Sequence, residues 1–276
     1  MRDVFPDSIC VGFSEVDPEA LKIYLRHFPT HPRLAPVEAI EGTVFRGKVD
    51  LIFGGSPCQG LSVAGRRRGL ADPRSRLLSE FVRIVKEVQP RYFILENVHH
   101  MTPSQLAEVN AAIGCTSTSL DAAWFSAQSR LRRYWANFPI VSPAHQTGSA
   151  LTDVLLDPGK AICRVISTKI LPPPPTDGRP LAYYQKGYGT PLLPRPDGKA
   201  NTVTCTHSQR DHIWDGTRFR SLRPVELERL QGFPDNFTEG LSINSRHRLM
   251  GNAFSVSSFR YILRNLSARV ESIWEG

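Results

Sequence analysis

The chain lacks any apolar stretch long enough to cross a membrane, and its first residues contain no signal-peptide core. Its five cysteines are dispersed, with no CxxC pair and no cluster with histidine at zinc-binding spacing. These absences argue against a membrane protein, a disulfide framework and a metal site. We therefore expect a protein that works inside the cell, where a free thiol stays reduced.

Acidic residues are the scarcer charged type, with 26 Asp and Glu against 34 Lys and Arg, which gives a formal net charge of +8. This surplus favours a polyanionic partner, but it does not by itself single out nucleic acid. The 276 residues, 41% of them hydrophobic, suffice for one large globular domain or for a domain with a small additional lobe.

Short apolar runs alternate with amphipathic segments, which predicts an α/β fold. Strands are predicted at 10–17, 37–40, 51–53 and 91–98. Helices are predicted from Pro18 onward and over 75–88, 104–113, 223–232 and 255–272. From 141 to 200, proline and glycine are frequent and no helical period is visible, so this stretch is predicted to form a small irregular lobe.

Cys58 stands in a glycine- and proline-containing turn directly after the predicted strand 51–53. In open α/β sheets, ligands bind at the carboxyl ends of the strands, so a thiol there is placed to act as a nucleophile. A small buried cysteine is the alternative that the local sequence leaves open. Glu96 ends the next buried strand at the same edge, and a carboxylate beside a thiol makes an acid/nucleophile pair.

Basic and polar side chains follow at three further places. The run 66–68 is three arginines in a glycine-bracketed loop, suited to clamping phosphates, although such runs are often merely solvated. Arg130 and Arg132 alternate, so on a strand they would share one face with Gln128 and could hold a base carbonyl or a phosphate. Glu15 is placed to bind ribose hydroxyls after an early strand, or it is simply a solvated acid.

Taken together, five short motifs in order resemble those of the DNA (cytosine-5) methyltransferase family. They are Gly54-Gly-Ser-Pro-Cys-Gln59, Glu96-Asn-Val98, Gln128-Ser-Arg-Leu-Arg132, Arg223-Pro224 with Gln231-Gly-Phe-Pro234, and Gly251-Asn252. The stretches 126–139 and 246–256 are most similar to the vertebrate de novo branch, whereas the short lobe fits bacterial and phage enzymes as well.

The resemblance implies the Rossmann-like, doubly wound sheet of S-adenosylmethionine-dependent methyltransferases. It implies a catalytic domain over 1–140, a target-recognition lobe over 141–204 and a return segment over 205–276 that completes the catalytic domain. It further implies duplex DNA as the partner, with no membrane and no metal. The protein would then act in the cytoplasm of a bacterium or phage host, or in the nucleus of a eukaryote, in restriction-modification, regulation or phage self-protection.

The resemblance also implies a mechanism. Cys58 would attack C6 of a flipped cytosine, Glu96 would bind the ring at N3 and the amino group, and Arg132, with Arg130 behind it, would hold O2. Activated C5 would then receive the methyl group of S-adenosylmethionine. The implied cofactor-binding residues are Glu15, Val16, Glu38, Pro57, Leu77, Asn252 and Phe254. The implied DNA-binding residues are Gln59, Ser62, Arg66, Arg67, Arg68, Gln128, Thr202 and Thr204.

The chain departs from the family pattern at its start. The opening Phe-x-Gly-x-Gly motif is absent, so the chain reads as truncated, lacking the first strand and the glycine-rich turn. An upstream segment or a partner chain is then expected to complete the cofactor site. Glu38 stands where the family usually has Asp, and Phe254 stands where most members have a smaller residue.

Two alternatives stay open at this point. One is a tRNA cytosine-5 methyltransferase of the same fold, because a flipped base looks similar from either polymer. The other is a catalytically impaired accessory or DNA-binding subunit, which the missing first motif suggests and the joint presence of Cys58, Glu96 and Arg132 argues against. A cysteine hydrolase is disfavoured because no histidine is suitably placed.

Overall fold

A computed structural model describes residues 1, 3–56, 76–145, 148–156, 172, 174–185, 192–205 and 212–274. The chain divides into two compact units. Unit 1 comprises Met1–Leu120, Leu131–Ser142 and Arg260–Gly276, and unit 2 comprises Asp121–Arg130 and Pro143–Phe259. The helices are α1 (Pro18–His27), α2 (Arg76–Val88), α3 (Pro103–Ile113), α4 (Pro224–Gln231), α5 (Ile243–Asn252) and α6 (Val256–Trp274). The strands are β1 (Leu51–Gly55), β2 (Tyr92–Val98), β3 (Ser117–Asp121), β4 (Leu131–Ala136), β5 (Leu181–Gln185), β6 (Leu192–Pro194), β7 (His212–Trp214) and β8 (Phe219–Ser221).

Unit 1 is built on a mixed sheet with the strand order β1-β2-β4-β3. β1 and β2 run parallel, and β4 is antiparallel to β2. Alternate strand residues Phe93, Leu95 and Trp135 form a core with Leu78 of α2 and Val109 of α3. Because each such side chain contributes about 1.5–3 kcal/mol when buried, this core fixes the two helices on one face of the sheet.

Local sequence signals set the helix ends in unit 1. The Asp17 carboxylate accepts hydrogen bonds from the backbone N–H groups of Glu19 and Ala20, which begins α1 at Pro18 as predicted. Thr102 and Gln105 form a capping box at the start of α3, and Gly114 ends that helix with φ +83°. The predicted strands at 51–53 and 91–98 and the predicted helices are confirmed in these positions.

Three expectations for the first part of the chain are wrong. Residues 10–17 form no strand in the described structure; a single parallel bridge joins Phe13 to Arg33. Val37–Ala39 is a turn of 3-10 helix instead of a strand. Gly54 and Gly55 belong to β1 instead of the turn after it. A Cβ at Gly54 would lie 3.1 Å from the Phe81 ring, so a larger residue there would require that ring to shift.

Unit 2 contains an antiparallel sheet with the order β6-β5-β7-β8. Its core joins Leu181, Tyr183, Leu192 and Phe219, with Trp214 packed against them. The stretch 141–200, predicted to be irregular, therefore contributes two strands to this sheet. Helix α4 ends at Gly232, whose φ is +83°. Gly251 and Asn252 end α5 and do not open the closing helix, which begins at Val256.

A buried ion-pair network ties the sheet of unit 2 to helix α4. The guanidinium of Arg220, fully buried, lies 2.6 Å from the Asp215 carboxylate and 2.7 Å from that of Glu226. Glu226 also accepts the backbone N–H groups of Arg223 and Leu156. Every charge in the network is thus paired and hydrogen-bonded, which is the condition for burying it.

Within the described residues, no helix is both long enough and apolar enough to span a membrane.

Candidate functional site

The predicted acid of unit 1, Glu96, is paired with an arginine. Glu96 is near the end of β2 and lies diagonally across from Arg132 of β4, two residues from its direct partner Tyr134. The Arg132 Nε lies 3.1 Å from the Glu96 Oε1, and each side chain is 15% exposed. The pair is shielded enough to hold a fixed geometry and open enough to meet a ligand, and it presents a hydrogen-bond acceptor beside a donor.

Asn97 fixes the end of the neighbouring strand. Its side chain is buried, and its amide Nδ2 donates to the Ser56 backbone carbonyl at 3.2 Å and to the Ser56 hydroxyl at 2.8 Å. Because Gly55 pairs with Glu96, this contact holds the carboxyl end of β1 beside the Glu96–Arg132 pair. Sequence reasoning assigned Asn97 no role of its own; its position next to a strand-end carboxylate was the available signal.

The predicted nucleophile lies just beyond this point. Ser56 is the last described residue before the gap, so Pro57, Cys58, Gln59 and Ser62 lie outside the described residues. The same is true of Arg66, Arg67 and Arg68. Their predicted roles remain predictions.

The predicted cofactor residues of unit 1 have the right chemistry for a nucleoside. The Glu15 Oε1 accepts the backbone N–H groups of Val16 and Asp17 at 2.7 and 2.8 Å, which fixes this carboxylate just before α1. Val16 beside it is 66% exposed, an apolar surface free to meet a base. Glu38 is exposed and Leu77 is half-buried in the first turn of α2. A carboxylate for hydroxyl groups and apolar contacts for a ring fit a nucleoside cofactor.

Arg130 and Gln128 have different surroundings from those predicted. Strand β4 begins at Leu131, so Arg130 precedes it and the two arginines do not share a strand face. The Arg130 guanidinium is buried against the backbone carbonyls of Val203, Gly251 and Ala253. Gln128 is fully buried, and its amide binds backbone and side-chain groups of unit 2. This geometry corrects the expectation that both side chains face a base or phosphate.

The remaining predicted residues of unit 2 lie on two segments. The Thr202 hydroxyl donates to the Ser129 carbonyl at 2.7 Å. Thr204, two residues later in the chain, is half-buried. Asn252, at the end of α5, is exposed, and the Phe254 ring lies against Phe259 with centroids 5.8 Å apart.

The electrostatics next to the Glu96-Asn97-Val98 motif favour a neutral histidine. Burial, followed by the nearby Arg133 and His100, lowers the pKa of His99 below its ordinary value. Its Nδ1 lies 3.1 Å from the Ser119 hydroxyl. Among the described residues, no three His, Cys, Asp or Glu side chains come together in a way that could hold a metal ion.

Comparison with known proteins identifies the family. The family model described as C-5 cytosine-specific DNA methylase matches residues 6–114 and 165–268, more than half of the chain. The chain belongs to this family. Its predicted resemblance is therefore confirmed, and membership places it in the DNA (cytosine-5-)-methyltransferase class of enzymes.

Individual proteins that are similar to this chain in sequence or in fold are also named methyltransferases. The chain is 27% identical over 291 residues to the type II methyltransferase M1.ScrFI of Lactococcus lactis subsp. cremoris, a match that covers 92% of this chain and 70% of that protein. A putative DNA modification methyltransferase encoded within an Escherichia coli prophage has a similar fold, with a TM-score of 0.68 and 18% identity over 94% of this chain and 92% of that one. The Entamoeba histolytica methyltransferase EhMeth gives a TM-score of 0.63 and 16% identity, covering 96% and 94%. These likenesses confirm the Rossmann-like methyltransferase fold.

Proposed function

We propose that the chain transfers a methyl group to C5 of cytosine in duplex DNA through a covalent bond between Cys58 and C6 of a flipped base. The observation that supports this most directly is the Glu96–Arg132 pair at the end of β2. Asn97 holds the end of β1 beside it, and β1 leads within three residues to Cys58. An acceptor and a donor at that edge match the amino group and the O2 of a cytosine ring.

The residues then have the following roles. The Cys58 thiolate adds to C6, and the electron pair displaced from the C5–C6 bond is stabilised by a proton that the Glu96 carboxyl donates toward N3 and by Arg132 at O2. Glu96 also accepts a hydrogen bond from the amino group. S-adenosylmethionine would supply the methyl group that C5 receives and would leave as S-adenosylhomocysteine. Loss of the C5 proton and cleavage of the C6–sulfur bond return the thiolate and release methylated DNA.

The cofactor is proposed to be held by the residues that the family resemblance implies. Glu15, with a carboxylate fixed by its own backbone, suits the ribose hydroxyls, and exposed Val16 suits the adenine. The further proposed contacts are Glu38, Pro57, Leu77, Asn252 and Phe254.

DNA is proposed to be read by the lobe over 141–204 and held by Gln59, Ser62, Arg66, Arg67, Arg68, Thr202 and Thr204. The net charge of +8 supports a nucleic-acid partner. With a DNA substrate, the proposed site of action is the cytoplasm of a bacterial or phage-infected cell.

Covalent trapping tests this proposal. The native chain is mixed with S-adenosylmethionine and a mixed-sequence pool of duplexes containing 5-fluorocytosine, whose fluorine cannot leave C5 as the proton does, so the Cys58–C6 bond persists. We expect a DNA–protein band that survives denaturation and requires the cofactor. The Cys58→Ser variant should lose the band, whereas Cys205→Ser, which changes an exposed cysteine of unit 2, should keep it.

Two outcomes would contradict the proposal. If tRNA forms an adduct and no duplex DNA does, the substrate is RNA. If neither polymer is trapped and neither accepts a labelled methyl group, the chain is not a methyltransferase as it stands, and the accessory-subunit alternative would apply.

A further inference from the structure

Arg130 binds two segments of unit 2 that are distant in sequence. Its Nη1 donates to the Val203 carbonyl at 2.6 Å, and its Nη2 donates to the carbonyls of Gly251 and Ala253 at 3.0 and 2.9 Å. The side chain is 3% exposed. A planar guanidinium presents two terminal nitrogens in fixed positions, so one can bind each segment, whereas an ammonium group offers a single nitrogen.

A second bridge runs beside the first. The Gln128 Oε1 accepts the Val203 N–H at 2.8 Å, and its Nε2 donates to the Leu230 carbonyl at 3.2 Å and to Gln231 Oε1 at 3.1 Å. The Gln231 Nε2 in turn donates to the Met250 carbonyl. Val203 is therefore joined to the end of α5 by two independent chains of buried hydrogen bonds.

The two segments also touch directly. A Cβ on Gly251 would lie 2.1 Å from the Cys205 backbone nitrogen and 2.1 Å from the Thr204 carbonyl carbon. No side chain can occupy that space, so the backbone of 204–205 is packed on the backbone at 251. A displacement of one segment is transmitted to the other because nothing deformable lies between them.

We propose that Arg130 is a positioning residue that couples DNA binding to cofactor binding, by joining Thr202–Thr204 to Gly251–Phe254. The inference rests on the proposed function, which assigns the first segment to DNA and the second to S-adenosylmethionine. Arg130 touches neither ligand; it acts through backbone carbonyls. Ordering of either segment by its ligand lowers the entropic cost of ordering the other, so each ligand tightens the other.

The test measures the coupling factor. The affinity for the duplex that traps best is measured by fluorescence anisotropy with and without saturating S-adenosylhomocysteine, which cannot react. The affinity for S-adenosylhomocysteine is measured with and without that duplex. By thermodynamic linkage the two ratios must agree, and we expect a factor of about five or more for the native chain. In Arg130→Lys we expect the factor to fall to about one.

Arg229→Lys is the matched control. It makes the same change in the same unit, at a side chain that binds Asp235 and the Val154 carbonyl but neither of the coupled segments. It should keep the native coupling factor. Loss of coupling in both variants would show a general loosening of unit 2 and would contradict the proposal.

A second variant guards against misfolding. If thermal melting shows that Arg130→Lys does not fold, Gln231→Met removes the second bridge while leaving Arg130 in place, and it should lower the coupling factor. Native coupling in a folded Arg130→Lys, or in Gln231→Met, would overturn the inference. Independent binding of both ligands to the native chain would overturn it too, whereas failure to bind either ligand would contradict the proposed function instead.

Discussion

Arg223 carries a buried guanidinium that forms no hydrogen bond in the part of the chain that the structure describes. The side chain is 6% exposed, and none of its three guanidinium nitrogens has a hydrogen-bond partner. It lies just before Pro224 at the start of α4, where the helix dipole is also positive. Arg220, three residues earlier, is equally buried but paired with two carboxylates. Replacing each of the two arginines with an apolar residue should therefore change the free energy of unfolding in opposite directions.

Replacing Arg223 with methionine should stabilise the protein. The change keeps the apolar stem and removes an unpaired charge, so we expect the free energy of unfolding to rise by about 1–3 kcal/mol. Arg220→Met should lower it by about 3–5 kcal/mol, because Asp215 and Glu226 would be left buried without their partner. Urea denaturation of both variants checks the signs, and a loss of stability in Arg223→Met would show that its charge is compensated.

At the residue scale, two arginines of one motif show which contacts could not be predicted from the sequence. Arg130 and Arg132 look equivalent in the sequence, yet one is held by three carbonyls and the other by Glu96. The strand that would have aligned them begins between them, at Leu131. The partner carbonyls come from residues more than 70 positions away (Val203 for example), and no local pattern encodes such a contact.

Strand β7 introduces a pH dependence into the sheet of unit 2. Burial lowers the pKa of His212 below its ordinary value of 6.5, and its buried Nδ1 has no hydrogen-bond partner among the described residues. As the pH falls below 6.5, the unfolded chain takes up this proton before the folded chain does. The contribution of His212 to stability is therefore present above that pH and is lost as the pH falls toward the lower folded-state pKa.

The variant His212→Gln should flatten this dependence. Between about pH 6.5 and 5, the native chain should lose stability more steeply than the variant, because the variant has no proton to gain at this position. Thermal melting across that range measures the slope, and His145→Gln, which changes an exposed histidine, should behave like the native chain. Equal slopes for the native chain and His212→Gln would show that position 212 does not titrate differently in the two states.

The helices and strands differ in how well they could be predicted from the sequence. α1 and α3 were predictable because a capping residue, a proline and an apolar period agree. The sheet of unit 2 was missed because three of its four strands have three residues each, too few to show an alternating pattern. Residues 10–17 look like a strand, but only one bridge at Phe13 forms there, so apolar alternation without a neighbouring strand misled the prediction.

At the scale of the whole molecule, the net charge of +8 should be the main cause of non-specific binding to DNA. Each phosphate contact releases counterions, so affinity for duplex DNA of any sequence should fall steeply with salt, by about 10³-fold or more between 50 and 200 mM if six or more contacts form. Anisotropy titrations at several salt concentrations give the slope. An affinity that does not change with salt would contradict a phosphate-binding surface.

The Arg130 contacts have a consequence for how such a protein can change. The guanidinium binds only main-chain oxygens, and every amino acid supplies one. Side chains along the lobe are therefore free to diverge, or to be replaced wholesale by those of a relative, without altering the anchor. If the lobe over 141–204 reads DNA as proposed, a lobe from a relative that preserves the path of the chain through 203 should bring its own sequence preference and leave the Arg130 contacts unchanged.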